Sequence, residues 1–353
     1  MAEFNRKTLL EALKLVAAAT PDRSPVDVYQ YTLLEAGSDG KAVLTATDGT
    51  IRVQKSLECS GDGIECLIPG DKIQQLLLAA HGGAVRLSLC TGGVEVKDSS
   101  GFYRFQTPPI DTFPSLDMVI DGGFKTDSIY LNRALPMVLS CVNDKFKGKF
   151  VLNGVRFDSV DGFVHLIGYD GHRACSCILG RGELSPFTVE SRVLRLVSKM
   201  NGKLAIGLQG TTATFQSSDS CVVSSTLQDV YPKWGKAIEA GESVPEWNGP
   251  KDLLESALAK SALFDQVESR GVSISADSNA TYVTATGTDI GRCKITIPGA
   301  NENQFRTCLN AGLLREFLSK VPGSLPVKLR IGENVGVSVG DFCKFTMACM
   351  EVK

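Results

Sequence analysis

The sequence predicts an α+β protein of three repeated domains, each with two helices packed on antiparallel sheets. The first sign is a recurring short segment. Thr47-Asp48-Gly49-Thr50-Ile51-Arg52, Tyr169-Asp170-Gly171-His172-Arg173-Ala174 and Thr288-Asp289-Ile290-Gly291-Arg292-Cys293 place their aspartates 122 and 119 residues apart, so three units fill the 353-residue chain. The second sign is that every copy sits between strand-like runs and is followed by an amphipathic helix 23 to 25 residues later. The third is 35 glycines, enough for the many tight turns of a hairpin-rich fold.

Within each unit the elements follow one order. A first helix carries an apolar stripe: Leu9, Leu10, Leu13 and Val16; then Leu135, Val138, Leu139 and Val142; then Leu253, Leu254, Ala257 and Leu258. Strands Ala42–Ala46, Phe163–Ile167 and Tyr282–Thr286 lead into the recurring segment. The second helices read Ile73, Leu76, Leu77, Ala80; Val193, Leu194, Val197, Met200; and Leu313, Leu314, Phe317, Val321. They stop at Gly82-Gly83, Gly202 and Gly323, as helices do at a residue free to turn left-handed. Alternating strands Val85–Leu89, Leu204–Leu208 and Val327–Ile331 come next. Pro- and Gly-bearing stretches near 113–125 and 231–250 mark the boundaries, giving domains 1–118, 119–240 and 241–353.

Composition excludes several function classes. There are 37 Lys and Arg against 39 Asp and Glu, a net charge of −2, so neither bulk cationic binding to nucleic acid nor an acidic disordered chain is expected. No apolar run is long enough to span a membrane. The N-terminal residues show no secretory h-region, so a cytoplasmic protein is expected. Eleven cysteines without a Cys-x-x-Cys pair, and only three histidines, read as buried free thiols in a reducing compartment. No zinc motif with paired short spacing is present, so neither metal nor cofactor is expected. No paired-carboxylate motif or phosphate-binding glycine loop appears, so no enzyme is expected. His172 and Cys175 form the one conceivable nucleophile pair, without an orienting partner.

Three such units can continue sheet edge to sheet edge, and an open row leaves two sticky edges that a second copy of the chain would close. That points to a ring without fixing the number of chains. The charge pattern agrees: segments 4–19, 71–80, 129–147, 189–203, 250–264 and 310–320 together carry +8, leaving −10 elsewhere. Basic helices around a hole and an acidic outside give this pattern, as do helix surfaces that are basic for solubility alone.

Val151-Leu152-Asn153-Gly154-Val155-Arg156-Phe157, with Tyr169-Asp170-Gly171-His172-Arg173-Ala174 behind it, resembles the middle domain of the bacterial DNA polymerase III beta sliding clamp, the processivity clamp of replication. Phe113-Pro114-Ser115-Leu116 and Tyr231-Pro232-Lys233-Trp234 resemble that family's two linkers, and the threefold repeat covers the whole chain. The resemblance implies a non-enzymatic, homodimeric, head-to-tail ring. It would encircle duplex DNA without reading sequence and tether the replicative polymerase, each chain forming half of the ring.

Candidate site residues follow. Arg192, Arg195 and Lys199 recur at three- and four-residue spacing, and Lys145, Lys147 and Lys149 form a cluster. By resemblance, Arg23 and the Lys145–Lys147 loop would touch DNA. The resemblance also implies a pocket for short hydrophobic peptides of polymerase and clamp-loader subunits. Its walls would be Leu152, Gly171, His172, Arg173, Ala174, Pro232, Lys236, Ala237, Thr346, Ala348 and Met350. The C-terminal Ala348-Cys349-Met350-Glu351-Val352 stands where the family usually has Met-Pro-Met-Arg-Leu. An alternative reading is therefore a divergent clamp relative serving as a decoy or specialised partner platform. The dimer face is expected at Ile73, Leu76, Tyr103 and Phe105 of the first unit and Leu263 and Phe264 of the third, although Tyr103 and Phe105 serve equally well as core residues of their own domain.

Overall fold

The computed structural model describes residues 1–21, 24–114, 123–143, 150–238, 244–264, 271–287, 290–299, 303–323 and 325–350. One element order occurs three times, the first with an additional two-residue strand. The first set is β1 (Ala2–Asn5), α1 (Arg6–Val16), β2 (Thr32–Ala36), β3 (Lys41–Thr47), β4 (Ile51–Glu58), β5 (Ser60–Gly61), β6 (Ile64–Ile68), α2 (Gly70–Ala79), β7 (Ala84–Cys90), β8 (Gly93–Lys97) and β9 (Phe102–Gln106). The second is β10 (Phe124–Asp127), α3 (Ser128–Leu139), β11 (Gly154–Val160), β12 (Phe163–Tyr169), β13 (Arg173–Arg181), β14 (Phe187–Glu190), α4 (Ser191–Val197), β15 (Lys203–Gln209), β16 (Thr212–Gln216) and β17 (Ser220–Ser225), followed by a short helix α5 (Trp234–Ile238). The third is β18 (Glu246–Trp247), α6 (Lys251–Ser261), β19 (Gly271–Ala276), β20 (Ala280–Gly287), β21 (Gly291–Pro298), β22 (Phe305–Asn310), α7 (Ala311–Leu318), β23 (Val327–Ile331), β24 (Asn334–Val339) and β25 (Cys343–Ala348).

All six helices expected from the apolar stripes are present. The third is shorter than its pattern suggests, ending at Leu139 rather than continuing toward 147. α5 was not expected, because it lies in a Pro-led stretch read as linker. The helix stops at Gly82 and Gly202 do have positive φ, 105° and 78°.

Two units result. One holds residues 1–129 and 192–226; the other holds 130–191 and 227–353. In the first unit a five-stranded sheet runs β5-β1-β7-β8-β9 and an eight-stranded sheet runs β10-β15-β16-β17-β4-β3-β2-β6. Asn5 caps α1, its side chain accepting from the Lys7 and Thr8 amides at 3.0 and 3.3 Å. Leu9, Leu10, Leu13 and Val16 of α1 are buried, as are Ile73 and Leu77 of the neighbouring α2. Ile73 is wholly enclosed in this core, so the expectation that it serves a dimer face is corrected: its side chain cannot reach a partner.

In the second unit an eight-stranded sheet runs β14-β11-β12-β13-β25-β24-β23-β18, and a four-stranded sheet runs β21-β20-β19-β22. α6 lies beside α7, with Leu254, Ala257, Leu258, Leu314, Phe317 and Leu318 buried. Every strand pairing is antiparallel, as hairpin connections allow. Helices covering one face of such sheets give the α+β class that the sequence predicts.

The seams repeat too. β4, the third strand after the first helix of its set, pairs with β17, the last strand of another set. β13 and β25 hold the same two positions and pair likewise. The remaining strands in those positions, β21 and β9, each end a sheet with an open edge.

Candidate functional site

The recurring segment is a turn, and its aspartate builds it. Asp170 Oδ1 accepts from the amides of His172 and Arg173, both at 3.0 Å, while Gly171 supplies φ of 94°. Asp48 does the same for Thr50 and Ile51 at 2.8 and 2.7 Å, with Gly49 at φ of 90°. Both carboxylates also hold an arginine. Arg173 Nε donates to Asp170 at 2.9 Å, and Arg192 Nη1 donates to Asp48 at 2.7 Å. Both copies are therefore hairpin turns. Thr288 and Asp289 of the third copy lie outside the described residues.

Arg173 does more than close its turn. It is buried, and Nη1 reaches Glu316 at 2.8 Å and the Leu313 carbonyl at 3.3 Å, tying the turn to α7. Its neighbour His172 is exposed, and the His172 carbonyl accepts from the Ala348 amide at 3.0 Å, fixing the end of β25.

Strand alternation sorts the remaining pocket candidates. Ala174, Ser176 and Ile178 share one face of β13. Cross-strand partners put Thr346 and Lys344 of β25 on it, with Tyr169, Ile167 and His165 of β12 and Arg156 and Asp158 of β11. Arg173, one residue out of phase, points to the other face, away from Ala174 and Thr346. On the first face Leu152, Val151, Ile167 and Tyr231 form a buried cluster, with Tyr169, Leu227 and Trp234 packed against it. Pro232 lines a cleft of about 660 Å³ over the same face, together with Tyr231, Lys233, Trp234, Gly235 and Ile238. Gly171, His172, Ala348 and Met350 are exposed. Lys236 and Ala237 fall on α5, but their side chains lie outside the described ones, as do Glu351, Val352 and Lys353.

Sequence reasoning missed the polar floor of this cleft. Asp158 Oδ2 accepts from Arg156 Nε and from the Trp234 indole, both at 3.1 Å. His165 Nδ1 lies 2.9 Å from Ser176 Oγ, and its ring centroid is 5.6 Å from that of Trp234. Burial, helped by the Lys344 charge and opposed by Asp158, holds the imidazole pKa below its ordinary value. The alternation Arg156, Asp158 opposite His165 was the only available signal, and it reads equally as a solvated strand face.

The expected cationic row is only partly a helix face. Arg192 and Arg195 are exposed on α4, while Val193, Leu194, Leu196 and Val197 are buried. Lys199 is exposed but lies past the end of α4, in the turn that follows, which corrects its placement on the helix. Arg192 is committed to Asp48 and to Thr50 Oγ1 at 3.0 Å. Arg23, Lys145, Lys147 and Lys149 lie outside the described residues.

At the open edges, Tyr103 is exposed on β9 and Phe105 is half-buried, facing Val96 and Val94 of β8. Leu76 is half-buried, Leu263 strongly exposed and Phe264 half-buried. Phe102 and Ile290 add exposed apolar surface at β9 and just before β21, and neither was expected. The nucleophile pair does not exist: Cys175 is wholly buried against other thiols while His172 faces solvent.

No family model matches the chain. Curated relatives include the beta sliding clamp of Chlamydia muridarum, 23% identical over 305 residues, which are 83% of this chain and 82% of that protein. The beta sliding clamp of Haemophilus influenzae is 21% identical over 301 residues, 81% of this chain and 80% of that protein. Among solved structures, the Pseudomonas aeruginosa DNA polymerase sliding clamp superposes with a TM-score of 0.88 at 17% identity, over 100% of both chains. The Bacillus subtilis clamp gives 0.90 at 12% identity, over 100% of this chain and 99% of that one. The resemblance seen in the sequence is thus borne out: over its whole length the chain has the fold of the bacterial DNA polymerase III beta sliding clamps, and its curated relatives are beta sliding clamps.

Proposed function

We infer that the chain is a sliding clamp: a processivity factor whose two copies close a ring around duplex DNA and tether a replicative polymerase. The full-length match to clamp structures is the observation that carries this reading. The sheet edges support closure. β4 pairs with β17 and β13 with β25, so β21 and β9 are the equivalent strands still unpaired. A second copy supplies β9 for one β21 and β21 for the other β9, head to tail, which removes both open edges. Three domains, 1–118, 119–240 and 241–353, accord with the threefold element order. Tyr103, Phe105, Leu76, Leu263 and Phe264 would then flank the joint, with Phe102 and Ile290 beside them.

The ring holds DNA by topology, so contacts need only be weak and blind to sequence. Arg195 and Lys199, with Arg192 and the 145–149 lysines, would supply phosphate attraction. No chemistry is required of the protein, and it acts as a cytoplasmic, non-enzymatic platform. Tethering raises the effective concentration of polymerase at the primer end. The face bearing Leu152, Ala174, Thr346 and the Pro232 cleft suits a short apolar peptide from polymerase or clamp-loader subunits. The wild-type chain, loaded by a clamp loader, is expected to stay on closed circular DNA and to run off the same DNA once it is linearised. Equal retention on both forms would overturn the reading.

A further inference from the structure

The core of the second unit holds a cluster of thiols that the clamp reading does not use. Cys175 and Cys177 point the same way from β13, two residues apart, and Cys343 is the cross-strand partner of Cys177 on β25. The three Sγ atoms lie within 4.8 Å of one another. Cys175 Sγ is 3.9 Å from Cys177 Sγ and 3.6 Å from Cys343 Sγ. All three residues are almost wholly buried. Cys141, buried just beyond the end of α3, lies outside this close group of three. None of the four is in a disulfide.

Those spacings match a coordination sphere. Thiolate sulfurs at about 2.3 Å from one tetrahedral ion stand roughly 3.8 Å from each other. A disulfide would need about 2.05 Å. The surroundings also suit gathered negative charge. The Arg133 guanidinium, stacked 3.9 Å over the Phe342 ring, acts on Cys343, and its buried Nε has no hydrogen-bond partner. We propose that Cys175, Cys177 and Cys343 supply three thiolate ligands of a structural site for a thiophilic d10 cation, Zn²⁺, at the sheet seam between β13 and β25.

On binding, each thiol loses its proton to solvent and becomes a thiolate ligand, and the ion offsets part of the resulting charge beside Arg133. The ligands are enclosed, so the ion enters as the chain folds. The sequence hides such a site because its ligands come from residues 175, 177 and 343, without paired Cys-x-x-Cys spacing. The proposal is independent of ring closure.

The test is metal stoichiometry on the full chain. Protein purified from zinc-supplemented cells without chelator is expected to hold one zinc per chain by elemental analysis. After removal of the zinc, Co²⁺ is expected to give the sulfur-to-metal charge-transfer absorption of a tetrahedral thiolate site. Cys175→Ser and Cys343→Ser should weaken zinc retention at least tenfold against a chromogenic chelator, whereas Cys59→Ser should leave it unchanged. Less than a tenth of an equivalent of zinc in the wild-type chain would overturn the proposal, and so would equal retention by the Cys343→Ser variant. The wild-type measurement stands alone if the serine variants do not fold.

Discussion

Arg173 shows how a sequence can place a side chain without giving its direction. The recurring Asp-Gly segment identified a turn from sequence, and the structure has it, because Asp170 satisfies two turn amides and Gly171 takes the left-handed backbone. Alternation along β13 then turns Arg173 toward α7, a fact that spacing alone did not reveal. Arg173 is enclosed and holds Asp170, Glu316 and the Leu313 carbonyl. Arg173→Ala leaves the enclosed Asp170 carboxylate without its cation and should cost about 3 kcal/mol in a urea unfolding titration. His165 gives a different signature. Its native pKa is lowered by burial first and by Lys344 next, so the folded state binds its proton less readily than the unfolded state. Stability should therefore fall as pH drops below the unfolded histidine value of about 6.5, and the loss should level off below the depressed native value. His165→Gln should remove that component, flattening the profile of unfolding midpoint against pH between neutrality and mild acid.

At the scale of elements, helices were the most legible because each buries a stripe with 3.6-residue period, and all six stripes became helices. The exceptions have physical causes. α5 has too few residues to show a period, and the apparent continuation of α3 past Leu139 rested on single apolar residues. Lys199 shared the spacing of Arg192 and Arg195 yet falls beyond α4, because periodicity does not mark where a helix stops. Open edges are not legible from sequence at all. β9 alternates like any strand, and only the sheet order shows that it has a partner on one side alone. Gly93 makes that edge testable. A Cβ added there would sit 1.9 Å from the Phe105 carbonyl oxygen, so Gly93→Ala must push β9 away from β8. If β9 is the dimer edge, the variant should dissociate at concentrations where the wild-type chain is paired, as read by sedimentation equilibrium, while the far-ultraviolet circular dichroism stays close to wild type.

Across the whole molecule the net charge of −2 hides the feature that matters, since the six stretches that the sequence marks as helical sum to +8. If the chain slides on DNA as proposed, it cannot hold DNA tightly, and its attraction should be electrostatic, diffuse and strongly dependent on salt. Arg195 and Lys199 are exposed cations, whereas Arg192 is held by Asp48. If both touch phosphate, the double substitution Arg195→Ala/Lys199→Ala removes two contacts per chain. The slope of log affinity against log salt for a short duplex should then become shallower by about two per chain, close to one per lost contact. The loss should be the same for duplexes of unrelated sequence, because no base edge is read. An unchanged slope would place these side chains away from DNA and shift the burden to the 145–149 lysines. A loss that varied with sequence would be incompatible with free sliding. The same variant should still dimerise, since neither residue lies on β9 or β21, so a change in DNA affinity can be separated from a failure of the ring to close.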